Sequence, residues 1–156
     1  MGILNSIAII ICWILVVLIT AIYCRKCFPA KKELSRKIVH IGTGPVITLA
    51  WLLNISSHVA IPIASLITIG LILNNRFKLV TAIEDINRQS YGTIAYGFSI
   101  TYLLIFLWNI NPAAVNAGVL VMAFGDGLAG LIGPQINSPN WTIFGQRKSI
   151  AGTTTM

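Results

Sequence analysis

Long apolar runs separated by short polar segments dominate the pattern of this chain. An α-helix needs about 20 apolar residues to cross a bilayer. Five stretches reach or approach that length: Ile3–Tyr23, Ile38–Leu53, Val59–Leu73, Ile94–Trp108 and Ala113–Gly133. The three middle stretches are short, so one of them is open to a second interpretation as a buried or re-entrant segment. The pattern predicts an all-α, polytopic bundle of about five spans, forming one domain over residues 1–156.

Composition supports a membrane protein over a soluble domain. Hydrophobic residues make up 56% of the 156 positions and charged residues only 10%, whereas soluble chains are about a quarter charged. The net charge of +7 does not indicate a nucleic-acid partner, because membrane topology alone places basic residues between apolar runs. The first run, Ile3–Tyr23, is longer than a signal-peptide core and has no basic leader. It is therefore predicted to be a retained span.

The basic residues lie only in alternate gaps between the predicted spans. They are Arg25, Lys26, Lys31, Lys32, Arg36 and Lys37 after span one, Arg76, Lys78 and Arg88 after span three, and Arg147 and Lys148 after span five. The other gaps, 54–58 and 109–112, contain no Lys or Arg. Because basic residues stay on the cytoplasmic side, the N-terminus is predicted outside and the basic gaps inside.

Asp126 lies within the fifth predicted span, in the sequence AFGDGLAGLIG. At helical rise its carboxylate is about 10 Å from the cytoplasmic end of that span. A carboxylate in hydrocarbon is costly and usually lines a cavity, pairs or binds an ion. The surrounding small residues also fit a helix-packing face, with Asp126 held by a basic partner. We expect the small residues to pack against another helix and Asp126 to have a functional role.

The segment ELSRKIVHIGTG carries the second cluster of chemically capable residues. If it is helical, Glu33 and Lys37 are four residues apart and can pair. Arg36 and His40 then share one face at the inner mouth of span two. Inner-edge anchoring alone would account for the two cations, but a His one turn into a span needs a partner. Together they form a candidate anion site.

Two further segments, EDINRQSYGTIAYG and GQRKSIAGTTTM, lie on the same predicted side. In the first, Glu84 and Asp85 are either a solvated acidic patch or oxygen ligands suited to Mg²⁺.

The second segment, GQRKSIAGTTTM, is not a Walker A sequence, because Arg147 precedes Lys148 where that motif has glycine. It still contains backbone N–H groups, cationic side chains and hydroxyl groups that can bind phosphates. These groups come from Gly145, Arg147, Lys148, Ser149, Gly152 and Thr153.

Taken together, RKIVHIGTG, RQSYGTIAYG, MAFGDGLAGLIG and GQRKSIAGT resemble the polyprenol kinase family, in particular its phytol kinase branch of cyanobacteria and plastids. The resemblance implies transfer of the γ-phosphoryl group of a nucleoside triphosphate, typically CTP, to an isoprenoid alcohol in a cell or thylakoid-type membrane. Phosphoryl transfer calls for cations around the phosphates, an oriented hydroxyl and usually Mg²⁺.

The resemblance also suggests roles for individual residues. Asp126 and His40 would be catalytic, with Asp126, Glu84 and Asp85 as Mg²⁺ ligands. Phosphates would be held by Arg36, Lys37, Arg147, Lys148, Ser149, Gly152 and Thr153, and substrate positioned by Ser90, Tyr91, Gly92 and Thr93. Ala151 stands where many relatives carry an acid, which weakens the case for a metal ligand in that loop. Relatives usually continue beyond the equivalent of Met156, so a C-terminal truncation is expected.

Three other functions remain open from the residues. A cytidylyltransferase-like enzyme would use the same groups to make a CDP-lipid and release pyrophosphate. A small transporter or channel subunit would use Asp126 as an ion or proton site, although the predicted outer half lacks charged residues. A packing subunit would need no chemistry. The sequence does not identify the alcohol, the nucleotide or the oligomeric state.

Overall fold

The computed structural model describes residues 2–29, 32–77, 92–143 and 146–156, without the side chains of residues 32, 143, 146 and 147. It has five long helices, a two-stranded hairpin and a short terminal helix. Their bounds are α1 Ile3–Cys27, α2 Lys32–Leu52, α3 Ser57–Phe77, α4 Gly92–Leu107, α5 Pro112–Ile132, β1 Asn140–Ile143, β2 Gln146–Ser149 and α6 Ile150–Thr155. The predicted all-α bundle is confirmed, and each predicted span corresponds to one long helix.

Three of the described helices are long and apolar enough to cross a membrane, namely α1, α3 and α5. The helix α4 is apolar but shorter. The helix α2 begins at Lys32, six residues before the predicted span, and its first turns carry Glu33, Arg36 and Lys37. Large apolar side chains such as Leu4, Leu66 and Val121 are more than 60% exposed on the outside of the bundle. This is the surface of a helical membrane protein, because lipid-facing side chains need no protein cover.

The antiparallel hairpin β1–β2 was not predicted. It pairs Asn140 with Ser149 and Trp141 with Lys148. Each strand has only four residues: β1, NWTI, alternates polar and apolar positions, but β2, QRKS, contains no apolar residue. Alternation in one such short strand is a weak signal for a hairpin. The hairpin lies between α5 and α6 in the chain, and Ser149 at its end caps α6.

The long helices pack in the order α1, α2, α5, α4, α3, which differs from their order in the chain. Close approach of α2 and α5 depends on small residues: a Cβ on Gly44 would lie 2.7 Å from the Cβ of Ala123, and one on Gly127 would overlap Ile41. Trp13 on α1 donates from Nε1 to the carbonyl of Gly42, at 2.8 Å. In the described part of the chain, α1 and α3 do not pack extensively against each other. The five helices therefore form an arc.

An apolar core closes the arc at the end where α2 meets α3. Leu104, Trp108, Val115 and Val119 are its most buried large members, and Trp108 donates from Nε1 to the carbonyl of Ile55, at 3.1 Å. The connection from α2 to α3 needs one residue in the left-handed region, Asn54 with φ 52°, and Asn tolerates that conformation better than most residues. This core fixes one end of the bundle and leaves the other end to the polar residues.

Candidate functional site

A cavity of about 1110 Å³ lies inside the arc and is lined by all five long helices and the C-terminal segment. Its volume exceeds the usual range of small-molecule sites, about 300–1,000 Å³. Charged and hydroxyl side chains surround one end, and Ile, Val, Leu and Ala side chains line the rest. The cavity therefore matches a ligand with a polar head and a long apolar body.

Lys37, Asp126 and His40 meet at the polar end. The Nζ of Lys37 donates to the Oδ2 of Asp126 at 2.8 Å and to its backbone carbonyl at 2.9 Å. The Nε2 of His40 lies 3.3 Å from the same Oδ2. The Lys37 side chain is only 7% exposed, whereas that of Asp126 is 46% exposed. The predicted basic partner of Asp126 is thus Lys37, and the carboxylate still faces the cavity.

The position of Lys37 depends on the helix opposite. Its Nζ would lie 2.6 Å from a Cβ on Gly130 of α5, and its Cε would overlap that atom. Gly130 and Asp126 are one turn apart on α5 and face the same part of α2. The absence of a side chain at Gly130 therefore provides the space in which Lys37 reaches Asp126.

His40 has one ring nitrogen without an aligned partner. Among the described residues, no atom forms a hydrogen bond with its buried Nε2, because the contact with Asp126 is close but not aligned. A buried ring nitrogen without a bond is costly, and the close contact with the Asp126 carboxylate offsets part of that cost.

Tyr96 and Thr43 complete the polar end, and sequence reasoning missed both. The ring of Tyr96 lies 3.9 Å from that of His40, centroid to centroid. Its hydroxyl donates to the His40 carbonyl at 3.3 Å, and the Thr43 hydroxyl donates to that carbonyl at 2.9 Å. Both residues stood within the motifs that carried the family resemblance. A tyrosine in an apolar helix needs a polar partner, and that signal would have identified Tyr96.

The C-terminal segment contributes four of the predicted phosphate-binding residues to the cavity wall: Lys148, Ser149, Gly152 and Thr153. The Ser149 side chain accepts a bond from the backbone N–H of Gly152, at 3.1 Å, and donates to the Gly133 carbonyl, at 3.3 Å. Gly152 packs against α5, since a Cβ there would lie 3.4 Å from the Cα of Gly133. Ser149 and Gly152 therefore hold this segment against α5, beside Asp126.

Arg36 and Glu33 also line the polar end. The expected pairing of Glu33 with Lys37 is wrong. Arg36 Nη2 contacts Glu33 Oε2 at 2.8 Å, and Lys37 turns inward to Asp126. The reason is burial: the half-exposed Glu33 carboxylate retains its hydration, whereas a Lys37 ammonium inside the bundle requires an anionic partner.

Several predicted residues lie outside the described residues. They are Glu84, Asp85, Ser90 and Tyr91, together with Gly145 and the side chain of Arg147. Gly92 and Thr93, at the start of α4, do line the cavity. Within residues 2–29, 32–77, 92–143 and 146–156, no three His, Cys, Asp or Glu side chains form a metal-binding group. Asp126 pairs with Lys37, and the role of Asp126, Glu84 and Asp85 as Mg²⁺ ligands stays a prediction.

The chain is similar to phytol kinase of Synechocystis sp., with 41% identity over 126 residues, covering 80% of this chain and 54% of that protein. The resemblance to the polyprenol kinase family is confirmed. The chloroplastic phytol kinase 1 of Arabidopsis thaliana is 27% identical over 138 residues, covering 81% of this chain and 45% of its own length. The chloroplastic farnesol kinase of the same plant is 28% identical over 134 residues, covering 78% and 43%.

This chain spans about half the length of the curated relatives that it matches. No family model matches it. No solved structure matches it. The likeness to kinases of isoprenoid alcohols therefore rests on sequence, and the geometry of the cavity is independent of it.

Proposed function

We propose that this chain forms the substrate cavity of a membrane kinase that phosphorylates an isoprenoid alcohol, such as phytol, using CTP. One observation carries the proposal: the Lys37–Asp126–His40 cluster lies at the polar end of a long apolar cavity. A lipid alcohol has the same division, with a single hydroxyl at the end of a hydrocarbon chain. The similarity to phytol and farnesol kinases supports this substrate class.

In the proposed reaction, the alcohol oxygen attacks the γ-phosphorus of the nucleotide. The bond from that phosphorus to the β,γ-bridging oxygen breaks, and CDP leaves with the bond electrons. The alcohol proton passes to the carboxylate of Asp126, which is 46% exposed and lines the cavity. The Nε2 of His40 is buried 3.3 Å from Oδ2 of Asp126, so His40 positions that carboxylate. Tyr96 keeps the ring of His40 in place by packing against it at a tilt of 40°.

The cations around the polar end would hold the nucleotide phosphates. Lys37 uses two of its three N–H donors on Asp126, so the third can reach an anionic oxygen. Arg36 and Lys148 line the same end, and Arg147 is proposed to assist. Mg²⁺ would bind largely through the nucleotide phosphates, as it commonly does, with Glu84 and Asp85 as candidate protein ligands.

The proposed membrane orientation places this polar end on the cytoplasmic side, where a soluble nucleotide is available. The distribution of Lys and Arg along the chain supports it. All five long helices would then span the bilayer, with the N-terminus outside. The lipid alcohol would reach the cavity from within the bilayer, and the nucleotide from the cytoplasm.

The test uses membranes that contain this chain, labelled CTP and a panel of isoprenoid alcohols. We expect an alcohol monophosphate and CDP as products, and a loss of about 10²–10⁴-fold in rate for His40→Gln or Asp126→Asn at normal expression. Wild-type rates in either variant, or no labelled lipid above an empty-vector control, would contradict the proposal. A CDP-lipid with release of pyrophosphate would instead identify a cytidylyltransferase.

A matched pair of lysine variants controls for charge. Lys37→Gln and Lys26→Gln each remove one positive charge, but Lys26 is exposed at the end of α1, outside the cavity lining. We expect the first to lower the rate and the second to leave it unchanged. Equal effects of the two would mean that net charge, and not the position of Lys37, determines activity.

A further inference from the structure

The apolar part of the cavity has a defined depth. Along α2 its lining runs from Lys37 and His40 at the polar end to Ala50. At about 1.5 Å per residue, the distance from His40 to Ala50 is about 15 Å, and that from Lys37 to Ala50 about 20 Å. The cavity therefore extends about half to two-thirds of the thickness of a bilayer core.

Small side chains lie at the deep end. Ala50 is 6% exposed and belongs to the apolar core, and Ala60 and Ala64 of α3 line the cavity and pack against that core. Ala60 is near the start of α3, so it is the deeper of the two. Beyond them, the cluster around Leu104 and Trp108 closes the bundle. The end of the cavity is thus a wall to which these alanines contribute together with Ile10, Ile47 and Ile100.

The depth matches an isoprenoid tail of three to four units. An extended hydrocarbon chain advances about 1.25 Å per carbon–carbon bond, so a farnesyl chain measures about 14 Å and a phytyl chain about 19 Å. One isoprene unit adds about 5 Å, which is close to the rise of one turn of α3, about 5.4 Å. Ala60 and Ala64 are one turn apart, so they mark depths that differ by about one isoprene unit.

We propose that Ala60 and Ala64 set the longest isoprenoid tail that the cavity accepts, one helical turn of α3 for each isoprene unit. The proposal rests on the proposed function for its substrate class. A phenylalanine at Ala60 would fill the deepest part of the cavity and exclude the terminal unit of a four-unit alcohol. A phenylalanine at Ala64 would exclude one unit more.

The experiment compares geraniol, farnesol and geranylgeraniol, alcohols of two, three and four isoprene units, with the full chain in its wild-type form and as single variants. We expect Ala60→Phe to reduce the rate with geranylgeraniol about tenfold or more and to spare farnesol. We expect Ala64→Phe to reduce the rates with geranylgeraniol and farnesol, and to leave the rate with geraniol unchanged. Ala117→Phe is the matched control, because Ala117 is exposed on α5 and does not line the cavity.

A second measurement separates this proposal from the kinase assignment. Each alcohol that binds the folded state raises the thermal stability of the purified protein in detergent. We expect stabilisation by geranylgeraniol in wild type and Ala117→Phe, and its loss in Ala60→Phe while stabilisation by farnesol persists. This pattern without phosphoryl transfer would refute the kinase assignment and support the chain-length proposal.

Two results would overturn the chain-length proposal. The first is an equal effect of Ala60→Phe on alcohols of all three lengths, in rate and in thermal stability, or no effect on any. The second is a wild-type preference for a polyprenol of many units over geranylgeraniol. A long tail would then leave the cavity between α1 and α3, which do not pack extensively in the described part of the chain.

Discussion

Replacement of Gly130 by alanine tests how the polar cluster is built. An added Cβ would overlap Cε of Lys37 and lie 2.6 Å from its Nζ. The clash involves the end of a flexible side chain, so the helices can remain in place while Lys37 moves. Moving it breaks the bonds of 2.8 Å and 2.9 Å to Asp126. The variant therefore removes the ion pair without removing either charge.

The expected change in the free energy of unfolding of Gly130→Ala follows from two opposing effects. Alanine in place of glycine inside a helix stabilises it by about 1 kcal/mol. Separating a buried ion pair costs about 3–5 kcal/mol, and we halve that cost because the Asp126 side chain is 46% exposed. The net result is a destabilisation of about 1 kcal/mol relative to wild type. A displaced catalytic group can cost about 10²-fold in rate, so we expect activity to fall more than stability.

Gly70→Ala is the matched control, since nothing lies within 4 Å of a Cβ at that position. It should gain the same helical stabilisation, which makes the difference between the variants about 2 kcal/mol, or about 4–8 °C in Tm. Thermal unfolding in detergent measures this difference, and the labelled-CTP assay measures the rate. If Gly130→Ala equals Gly70→Ala in both measurements, Gly130 does not position Lys37.

Three further predictions concern the cluster and the topology. Lys37→Met alone should destabilise the chain more than Lys37→Met combined with Asp126→Asn, because the single variant leaves a carboxylate without its cation. Equal Tm values in the two variants would argue against the ion pair. His40→Asn should lower kcat far more than it raises KM for the alcohol, and a change confined to KM would assign His40 to substrate binding only. In a cysteine-free background, an impermeant thiol reagent added outside intact cells should label Asn54→Cys and not Asn140→Cys. The reverse labelling pattern would show that the orientation is opposite to the one proposed.

The apolar runs alone were sufficient to predict the five long helices. Helices α3, α4 and α5 begin and end within a few residues of the predicted spans, because a backbone in hydrocarbon must satisfy its own hydrogen bonds within the helix. The start of α2 was predicted six residues late. Its first turns are polar, and hydropathy does not reveal a helix that extends beyond the apolar region.

Asp126 and His40 were also identified from the sequence, because a polar group within an apolar helix needs a partner wherever the helix packs. The identity of that partner was not predictable. Glu33 was four residues from Lys37 and was the local candidate, yet Lys37 pairs with Asp126, 89 positions along the chain. The choice depends on which side chains the packing of α2 on α5 buries together.

The sequence by itself determined the class of protein, the approximate helices and the residues that could carry chemistry. These are local properties, set by hydropathy over a helix length and by the cost of placing a charge in hydrocarbon. Only the tertiary structure decided the order of the helices in the arc, the space that Gly130 leaves for Lys37, the packing of the Tyr96 ring against His40 and the depth of the cavity. Each of these depends on contacts between residues far apart in the chain, and helix periodicity carries no information about which helix faces which.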